Sequence, residues 1–440
     1  MTQPSSNRPS EAQPLRVALA GLGTVGTGVV RLIEENRDLI ARRAGRPVEI
    51  VAVSARERNR DRGIDLSAYR WCDDMAAFAQ DEDVDVVCEL VGGSDGPALA
   101  LARAALGNGK ALVTANKALI AHHGLELAEI AEKSDAPMLF EAAVAGAIPV
   151  IKGLREGAAA NRIERVYGIL NGTCNYVLSA MEAKGEDFGK VLADAQAIGY
   201  AEADPAFDIE GTDAAHKLSI LASLCFGTKL DFAGVETRGI TQVRAEDIAQ
   251  ARALGYVIRL IGFAEADGGK LFQRVHPCLL PLAHPLARID GATNAVVAEG
   301  NYSGRLLFQG AGAGDGPTAS AVVADLVDLA RGQTGHSFAM PASALEPAET
   351  AETGHRSGKV YLRFEVADKV GVLAEIAAAM RDAGVSVESL IQPALAGGDT
   401  ALIAIVTHEV EERCIDQALA KLSGSDSQKA EPMVMHIMSA

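Results

Sequence analysis

"LRVALAGLGTVGTGVVRLIEEN" runs from Leu15 to Asn36, and its reading decides the fold of the N-terminal part of the chain. Leu15 to Ala20 is a short apolar run of strand character. Gly21, Gly23 and Gly26 follow in G-x-G-x-x-G spacing, and then Val29, Val30, Leu32 and Ile33 recur at helical spacing. Strand, glycines and helix in that order are the context in which this spacing signifies a dinucleotide site. The first glycine makes a tight turn, and the second lets the backbone approach a pyrophosphate. The third lets helix and strand pack closely, with the helix N-terminus facing the anion. Gly21, Leu22, Gly23, Thr24, Val25 and Gly26 are therefore the candidate cofactor-binding run. The competing reading is a Gly-rich turn that holds no ligand.

The pattern continues outward as strand, helix, strand. "VEIVAVS" (48–54), "VDVVCELVG" (84–92), "ALVTA" (111–115) and "PMLFEAAV" (137–144) read as strands, with helical stretches at 97–106 and 118–133 between them. This predicts an α/β fold beginning with a Rossmann-type, doubly wound domain over 14–150, completed by a helix at 315–335. The second strand ends in "VSARERNR". An NAD site would usually place an acid at that tip to hold the ribose 2′-OH. Here Arg56 and Arg58 follow Ser54 and Ala55, which suits a 2′-phosphate and favours NADP, with NAD possible. Glu57 between the arginines keeps a solvated basic loop as the alternative.

Composition bounds the rest. The chain has 440 residues, 48% of them hydrophobic and 4% aromatic, so its cores are built from Ala, Val, Leu and Ile. That length implies two or three domains. The formal net charge of −17 argues against nucleic acid and anionic membrane surfaces as partners. No apolar run reaches the ~18 residues of a membrane span. The scattered cysteines form no C-x-x-C pair and read as reduced thiols, which points to the cytoplasm. Residues 1–13, rich in Pro and Ser, read as a disordered tail without the apolar core of a signal peptide.

Chemistry beyond the nucleotide sheet gathers in four places. "VTANKALI" (113–120) puts Asn116 and Lys117 at the C-terminal end of a strand, the edge that faces the ligand crevice. Lys117 can meet cofactor or substrate there, or simply charge a helix start. "FEAAVAGAIPV" (140–150) reads as a buried turn whose carbonyls could coordinate a hard cation beside Glu141. "RIERVYGILNGTCNYVLSAM" (162–181) is a strand, a polar corner at Gly172 and Thr173, and a helix from about Cys174. Thr173 is the expected N-cap, and the corner offers amides to a substrate. Last, "AEADPAFDIEGTDAAHK" (201–217) crowds carboxylates against an apolar helix expected to start near Asp208. On it Glu210, Asp213 and Lys217 would share one face. A surface ion pair is the plain reading. The helix continues as "LSILASLCF", however, and charge against a buried segment needs partners, which a zwitterionic ligand could supply.

"GLGTVG", "TANK", "FEAAVAGAIP", "NGTCNY", "EADP", "DAAHK" and "GAGAGDGPTASAVVADL" occur in that order, and together they resemble homoserine dehydrogenase over roughly 15–335. The resemblance implies hydride transfer between a nicotinamide cofactor and the pair L-homoserine and L-aspartate 4-semialdehyde, on the way to threonine, isoleucine and methionine. It implies Lys217 as proton donor and acceptor and Lys117 beside cofactor and substrate. Glu202 and Asp213 would hold the amino acid, with Gly199 and Gly314 touching the cofactor. Glu141, with the main chains of Val144, Gly146 and Ile148, would form a structural sodium site. The family's usual "NGTTNY" has Thr where this chain has Cys174. Two other readings stay open: another NAD(P)-dependent enzyme of amino-acid aldehydes, and an inactive amino-acid sensor. The presence of both lysines counts against the sensor.

Residues 151–314 read as an α+β substrate-binding and dimerisation domain with strands at "YVIRLIGFAEA", "KLFQRVHPCLL", "TNAVVAEG" and "GRLLFQG", and a homodimer or homotetramer is expected. His276 and His284 read as structural. Residues 337–358 have a linker composition, across which few contacts are expected. The remainder, 359–440, gives the βαββαβ order of a ferredoxin-like module. Its "DKVGVLAEI" (368–376) resembles the ACT domain, implying allosteric sensing of an end product, most naturally L-threonine, near Asp368 and Gly371. The alternative is a dimerisation module that binds nothing.

Overall fold

The structure is a computed structural model describing residues 13–392 and 399–439. The expected tail at 1–13 lies, apart from Gln13, outside the described residues. The chain divides into two units. One comprises the residues up to Glu164 with Ser219–Phe232 and Ala298–Pro347; the other comprises Arg165–Leu218, Ala233–Val297 and the residues from Ala348 onward. Among the described residues no helix is long and apolar enough to cross a membrane.

The first unit carries a six-stranded sheet in the order Arg70–Trp71, Val48–Ser54, Leu15–Ala20, Val86–Glu89, Ala111–Thr114, Met138–Leu139, with every neighbour parallel. This is the doubly wound nucleotide-binding order, in which the strand sequence reverses beside the first strand. Sequence explains the close packing there. Gly21 has φ +107°, and a Cβ on it would lie 2.5 Å from the Leu90 carbonyl oxygen. A Cβ on Gly28 would lie 2.8 Å from the carbonyl oxygen of Asp315, so helix Thr24–Glu35 packs tightly on helix Asp315–Arg331. Val29, Val30 and Ile33 share a core with Val17, Leu19, Ala319, Val322 and Leu326.

Three local expectations are corrected. The run at 137–144 is a strand only over Met138–Leu139; Ala145 and Gly146 then adopt left-handed φ values of 59° and 56°, turning the chain out of the sheet. The helix expected from about Cys174 spans Gly172–Lys184, and its cap is Asn171 rather than Thr173: the Asn171 side chain accepts from the Cys174 amide at 2.8 Å. The helix expected near Asp208 is two helices, Ala206–Ile209 and Thr212–Phe226, broken at Gly211 with φ +90°. Glu210 therefore does not share a helix face with Asp213 and Lys217.

The second unit is built on a mixed sheet running through Thr293–Gly300, Ile163–Ile169, Tyr256–Asp267, Lys270–Pro281, Met433–Ile437, Ser357–Ala367, Thr400–Thr407 and Val387–Ile391. The last four strands, with helices Val372–Asp382 and Glu412–Leu422, make the βαββαβ module and its own core. That module is not tethered by a bare linker. Its final strand pairs in parallel with the substrate sheet, Cys278 opposite His436 and Leu279 opposite Ile437. Buried polar contacts reinforce the joint. The Tyr361 hydroxyl donates its one proton to Asp247 at 3.0 Å and lies 2.9 Å from the Gln250 amide, and Arg363 pairs with Asp247 at 2.8 Å. Arg274, 7% exposed, donates to Glu412 at 2.9 and 2.8 Å and to His436 at 2.9 Å. Burial and the Arg274 guanidinium push His436 down to about 3, so its ring is neutral and can accept that bond.

Residues 337–358 are likewise anchored. Ser337 donates to the Met138 carbonyl at 3.0 Å, Glu132 accepts from the Ala342 amide at 2.8 Å, and Glu349–Thr350 pairs with Lys270–Leu271. Pro and Ala richness suits these turns and short pairings as well as it suits a flexible tether, which is why composition alone suggested a linker.

Candidate active site

At the nucleotide end the site is made of backbone. The first turn of helix Thr24–Glu35 carries no acidic side chain, so its N-terminal dipole is open to an anion. A Cβ on Gly26 would lie 2.1 Å from the Gly21 carbonyl oxygen, which forces glycine there. Gly314 precedes helix Asp315–Arg331 with φ +120°, a conformation that again favours glycine. Two residues unseen in the sequence shape this end. Glu89, fully buried, accepts from the Val91 and Gly92 amides at 2.8 and 3.1 Å and from the Thr114 hydroxyl at 2.7 Å, tying two strand ends together. Arg62 donates to the Leu22 carbonyl at 3.2 Å, to that of Arg60 at 2.8 Å and to that of Glu57 at 2.5 Å. It latches the loop after the second strand onto the glycine run. Arg56 and Arg58 stay exposed, without a hydrogen bond or ion pair among the described residues, and Arg58 lies 5.9 Å from the Trp71 ring. Lys117 opens helix Lys117–Lys133 half-buried, and Asn116 caps that helix by accepting from the Leu119 amide at 3.1 Å.

The turn after the sheet is held by Glu141, 3% exposed. Its carboxylate accepts from the Ile151 and Lys152 amides at 2.9 and 2.8 Å, while burial raises its pKa. Asp325 accepts from the Glu141 amide at 3.0 Å and is pushed by burial to about 7. The Ile148 carbonyl accepts from the Val150 amide at 2.7 Å. Each Glu141 oxygen accepts one amide and keeps a lone pair, so the carboxylate can still join main-chain oxygens of Val144, Gly146 and Ile148 around a cation. Among the described residues no group of three or more His, Cys, Asp or Glu side chains could hold a metal ion.

The substrate end, in the second unit, is made of side chains. Lys217 is 7% exposed and Asp213 3%. Lys217 Nζ donates to Asp213 Oδ2 at 2.6 Å and to the Leu170 carbonyl at 2.8 Å. Asn294 donates to that same carbonyl at 2.8 Å. Asn171 Nδ2 reaches both Asp213 and Asp208 at 2.8 Å, and the Thr173 hydroxyl donates to Asp208 at 2.9 Å. Gly172 admits no side chain, since a Cβ would lie 2.8 Å from the Ala292 carbonyl oxygen. The cluster therefore unites Lys217, Asp213, Asp208, Asn171 and Thr173. Glu202 is exposed and its side chain stands outside this network; Asp208 is the second carboxylate in it. Gly199 adopts φ +80° at the end of helix Phe188–Ala197. Cys174 is buried and donates to the Asp208 carbonyl at 3.1 Å; burial, with Asp208 and Asp213 nearby, raises its thiol pKa well above the usual range. It packs rather than reacts. Spacing exposed the Asp213–Lys217 pair, but nothing local in sequence pointed to Asn171 or Asn294.

His276 and His284 serve structure. His276 pairs with Glu236 at 3.3 Å, and His284 accepts from the Leu286 amide at 3.2 Å.

Comparison with known proteins adds three family matches: "Homoserine dehydrogenase, NAD binding domain" over 21–141, "Homoserine dehydrogenase" over 149–327 and "ACT domain" over 360–424. The chain is 44% identical over 422 residues to a homoserine dehydrogenase of Neisseria gonorrhoeae, covering 94% of this chain and 96% of that one. It is 42% identical over 427 residues to that of Mycobacterium tuberculosis strain H37Rv, covering 95% and 96%. The crystal structure of a homoserine dehydrogenase from Thiobacillus denitrificans superimposes with TM-score 0.90 at 40% identity, covering 97% of this chain and 98% of that one. A hyperthermophilic archaeal homoserine dehydrogenase in complex with NADPH is similar at TM-score 0.62 and 25% identity, covering 74% of this chain and all of that one.

Proposed function

The chain belongs to the homoserine dehydrogenase family, NAD(P)-dependent oxidoreductases that interconvert L-homoserine and L-aspartate 4-semialdehyde, and we propose how its residues divide that work. The nicotinamide, when bound, supplies or accepts the hydride. Lys217 acts on the substrate oxygen. Asp213 and the Leu170 carbonyl take two of its three N–H bonds and leave the third for that oxygen. As the aldehyde is reduced, the ammonium stabilises the developing oxyanion and then delivers a proton to it. In the reverse direction the amine takes the proton back. Asp208 and Glu202 are carboxylate partners for the substrate ammonium, while Thr173 and Gly172 form the corner against which the amino acid rests. Lys117 lies along cofactor and substrate, and Gly199 and Gly314 are cofactor contacts.

For the cofactor we favour NADP over NAD, because Arg56 and Arg58 are exposed without an acidic partner where a 2′-phosphate would sit. Sodium at this turn, held by Glu141 and the main chains of Val144, Gly146 and Ile148, is a structural role outside the reaction. The ACT module is read as a sensor of L-threonine. A homodimer or homotetramer in the cytoplasm is the working assembly.

The observation that carries the mechanism is the buried, doubly anchored ammonium of Lys217. Lys217→Ala should lower kcat by roughly 10²–10⁴-fold with L-homoserine, while cofactor binding, read by nicotinamide fluorescence, stays within threefold. Turnover within threefold of the parent would remove Lys217 from the reaction.

A further inference from the structure

The loop that follows strand Val48–Ser54 carries Arg56, Arg58, Arg60 and Arg62, and the last of them differs from the rest in what it holds. Arg62 is half-buried, and three of the five N–H donors of its guanidinium go to main-chain carbonyls, those of Leu22 at 3.2 Å, Arg60 at 2.8 Å and Glu57 at 2.5 Å. Leu22 lies inside the glycine run, while Glu57 and Arg60 belong to the loop itself. One side chain thus folds the loop back and pins it to the glycine run. Arg31, on helix Thr24–Glu35, adds a bond to the Arg62 carbonyl at 3.4 Å. The Gly21 amide donates to the Ser54 carbonyl at 2.8 Å, so strand tip and glycine run are joined before the loop begins.

Trp71 forms a second wall. It is the one tryptophan of the chain, and it stands on the strand beside that tip, opposite Val53. Its indole N–H donates to Asp73 at 2.9 Å, which sets the ring. The Arg58 guanidinium lies 5.9 Å from the ring centroid and that of Arg62 5.7 Å. Cation–π attraction acts within about 6 Å. Two guanidinium groups against one ring repel each other, and Arg58 has no hydrogen bond or ion pair among the described residues to offset that. A doubly charged anion would offset it.

We infer that Arg62 is the positioning residue of cofactor choice, bracing loop 55–62 in the shape that presents Arg56 and Arg58 to a 2′-phosphate, with Arg58 aligned on Trp71. The inference rests on reading those arginines as partners of that phosphate. It goes further by assigning the discrimination to a residue whose donors are spent on carbonyls. A loop left free must be ordered each time the cofactor binds, and that ordering subtracts from affinity. The brace removes the cost beforehand. NAD, which carries a hydroxyl in place of the phosphate, gains far less from cations held in order.

The test uses the full-length protein and adenosine 2′,5′-bisphosphate, which carries the phosphate without the nicotinamide, with binding followed by Trp71 emission. The bisphosphate should bind at least about tenfold more tightly than adenosine 5′-phosphate, a charged contact setting the two apart. Arg62→Met should weaken the bisphosphate about tenfold and raise KM for NADP by a similar factor, with kcat and KM for NAD within about twofold of the parent. Arg62→Lys should behave like Arg62→Met, because a compact ammonium cannot span carbonyls that a planar fork reaches. Trp71→Leu should raise KM for NADP about threefold and leave that for NAD unmoved. NADP affinity restored by lysine would make Arg62 a charge rather than a brace and overturn the inference. Bisphosphate affinity unchanged in Arg62→Met, or KM rising equally for NADP and NAD, would also overturn it while leaving the 2′-phosphate reading in place. A parent protein that binds the two nucleotides equally would overturn both.

Discussion

The nucleotide end and the substrate end of this enzyme are built in opposite ways. Gly21, Gly23, Gly26 and the start of helix Thr24–Glu35 form a site of backbone, all within one short stretch. Lys217 is held by Asp213 and the Leu170 carbonyl, which Asn171 and Asn294 hold in turn, so side chains from three separate stretches of the chain support it. A backbone site tolerates many side chains and forbids a Cβ at a few positions. A side-chain site tolerates few substitutions and depends on the sheet that brings distant groups together. The first should therefore fail by steric exclusion, and the second by loss of support.

Loss of Lys217 is the most damaging change expected, and it should leave nucleotide binding alone. Next comes a chain ending after Ala351. It keeps every residue proposed for the reaction, yet strips strand Met433–Ile437 from the substrate sheet and Glu412 and His436 from Arg274. Arg274 then keeps only Glu236 of its three partners, and breaking a buried ion pair costs up to about 3–5 kcal/mol. Such a chain should lose kcat more than 100-fold while binding NADPH within about fivefold of the parent. A shortened protein with parental kcat and Tm would show that the two ends do not differ in this way. Arg56→Ser should raise KM for NADP by at least tenfold and leave that for NAD nearly unchanged, a charged contact being worth about 1.5–3 kcal/mol. Equal changes for both cofactors would make Arg56 a solvated loop residue. The smallest effect belongs to Asn294→Ala, which removes one of two donors from the Leu170 carbonyl. It should lower kcat about fivefold without moving cofactor KM, in line with about 1 kcal/mol for a single hydrogen bond. A shift in cofactor KM instead would place Asn294 on the wrong side of the comparison.

The same contrast explains what the sequence could show. The glycine spacing, strand runs and ferredoxin-like order are local signals, and they matched the parallel sheet and the βαββαβ module. Asp213 and Lys217 were visible because they stand one helical turn apart. Asn171 belongs to the NGTCNY stretch, but its role as cap and clamp depends on Asp208 and Asp213 folding back onto it. Glu89 looked like one more strand residue, and Arg62 one arginine among several in a polar run. The unbroken helix expected from Asp208 failed at Gly211, whose left-handed φ and 3.0 Å approach to Thr237 are tertiary facts. The supposed linker failed for a similar reason: composition reports what a segment could do when free, and pairing with Lys270–Leu271 does not show in composition.

The pairing of Met433–Ile437 with Lys270–Pro281 also bears on how the protein is made. The ribosome delivers Met433–Ile437 long after the internal strand it pairs with, so the substrate sheet stays incomplete until that strand emerges. Until then Lys270–Pro281 presents an unpaired stretch of its edge, the kind of surface that invites pairing between nascent chains. Contacts this distant in sequence also slow the final closure. Without Met433–Ile437 that edge would stay open, so the strand closes the substrate sheet as well as completing the module.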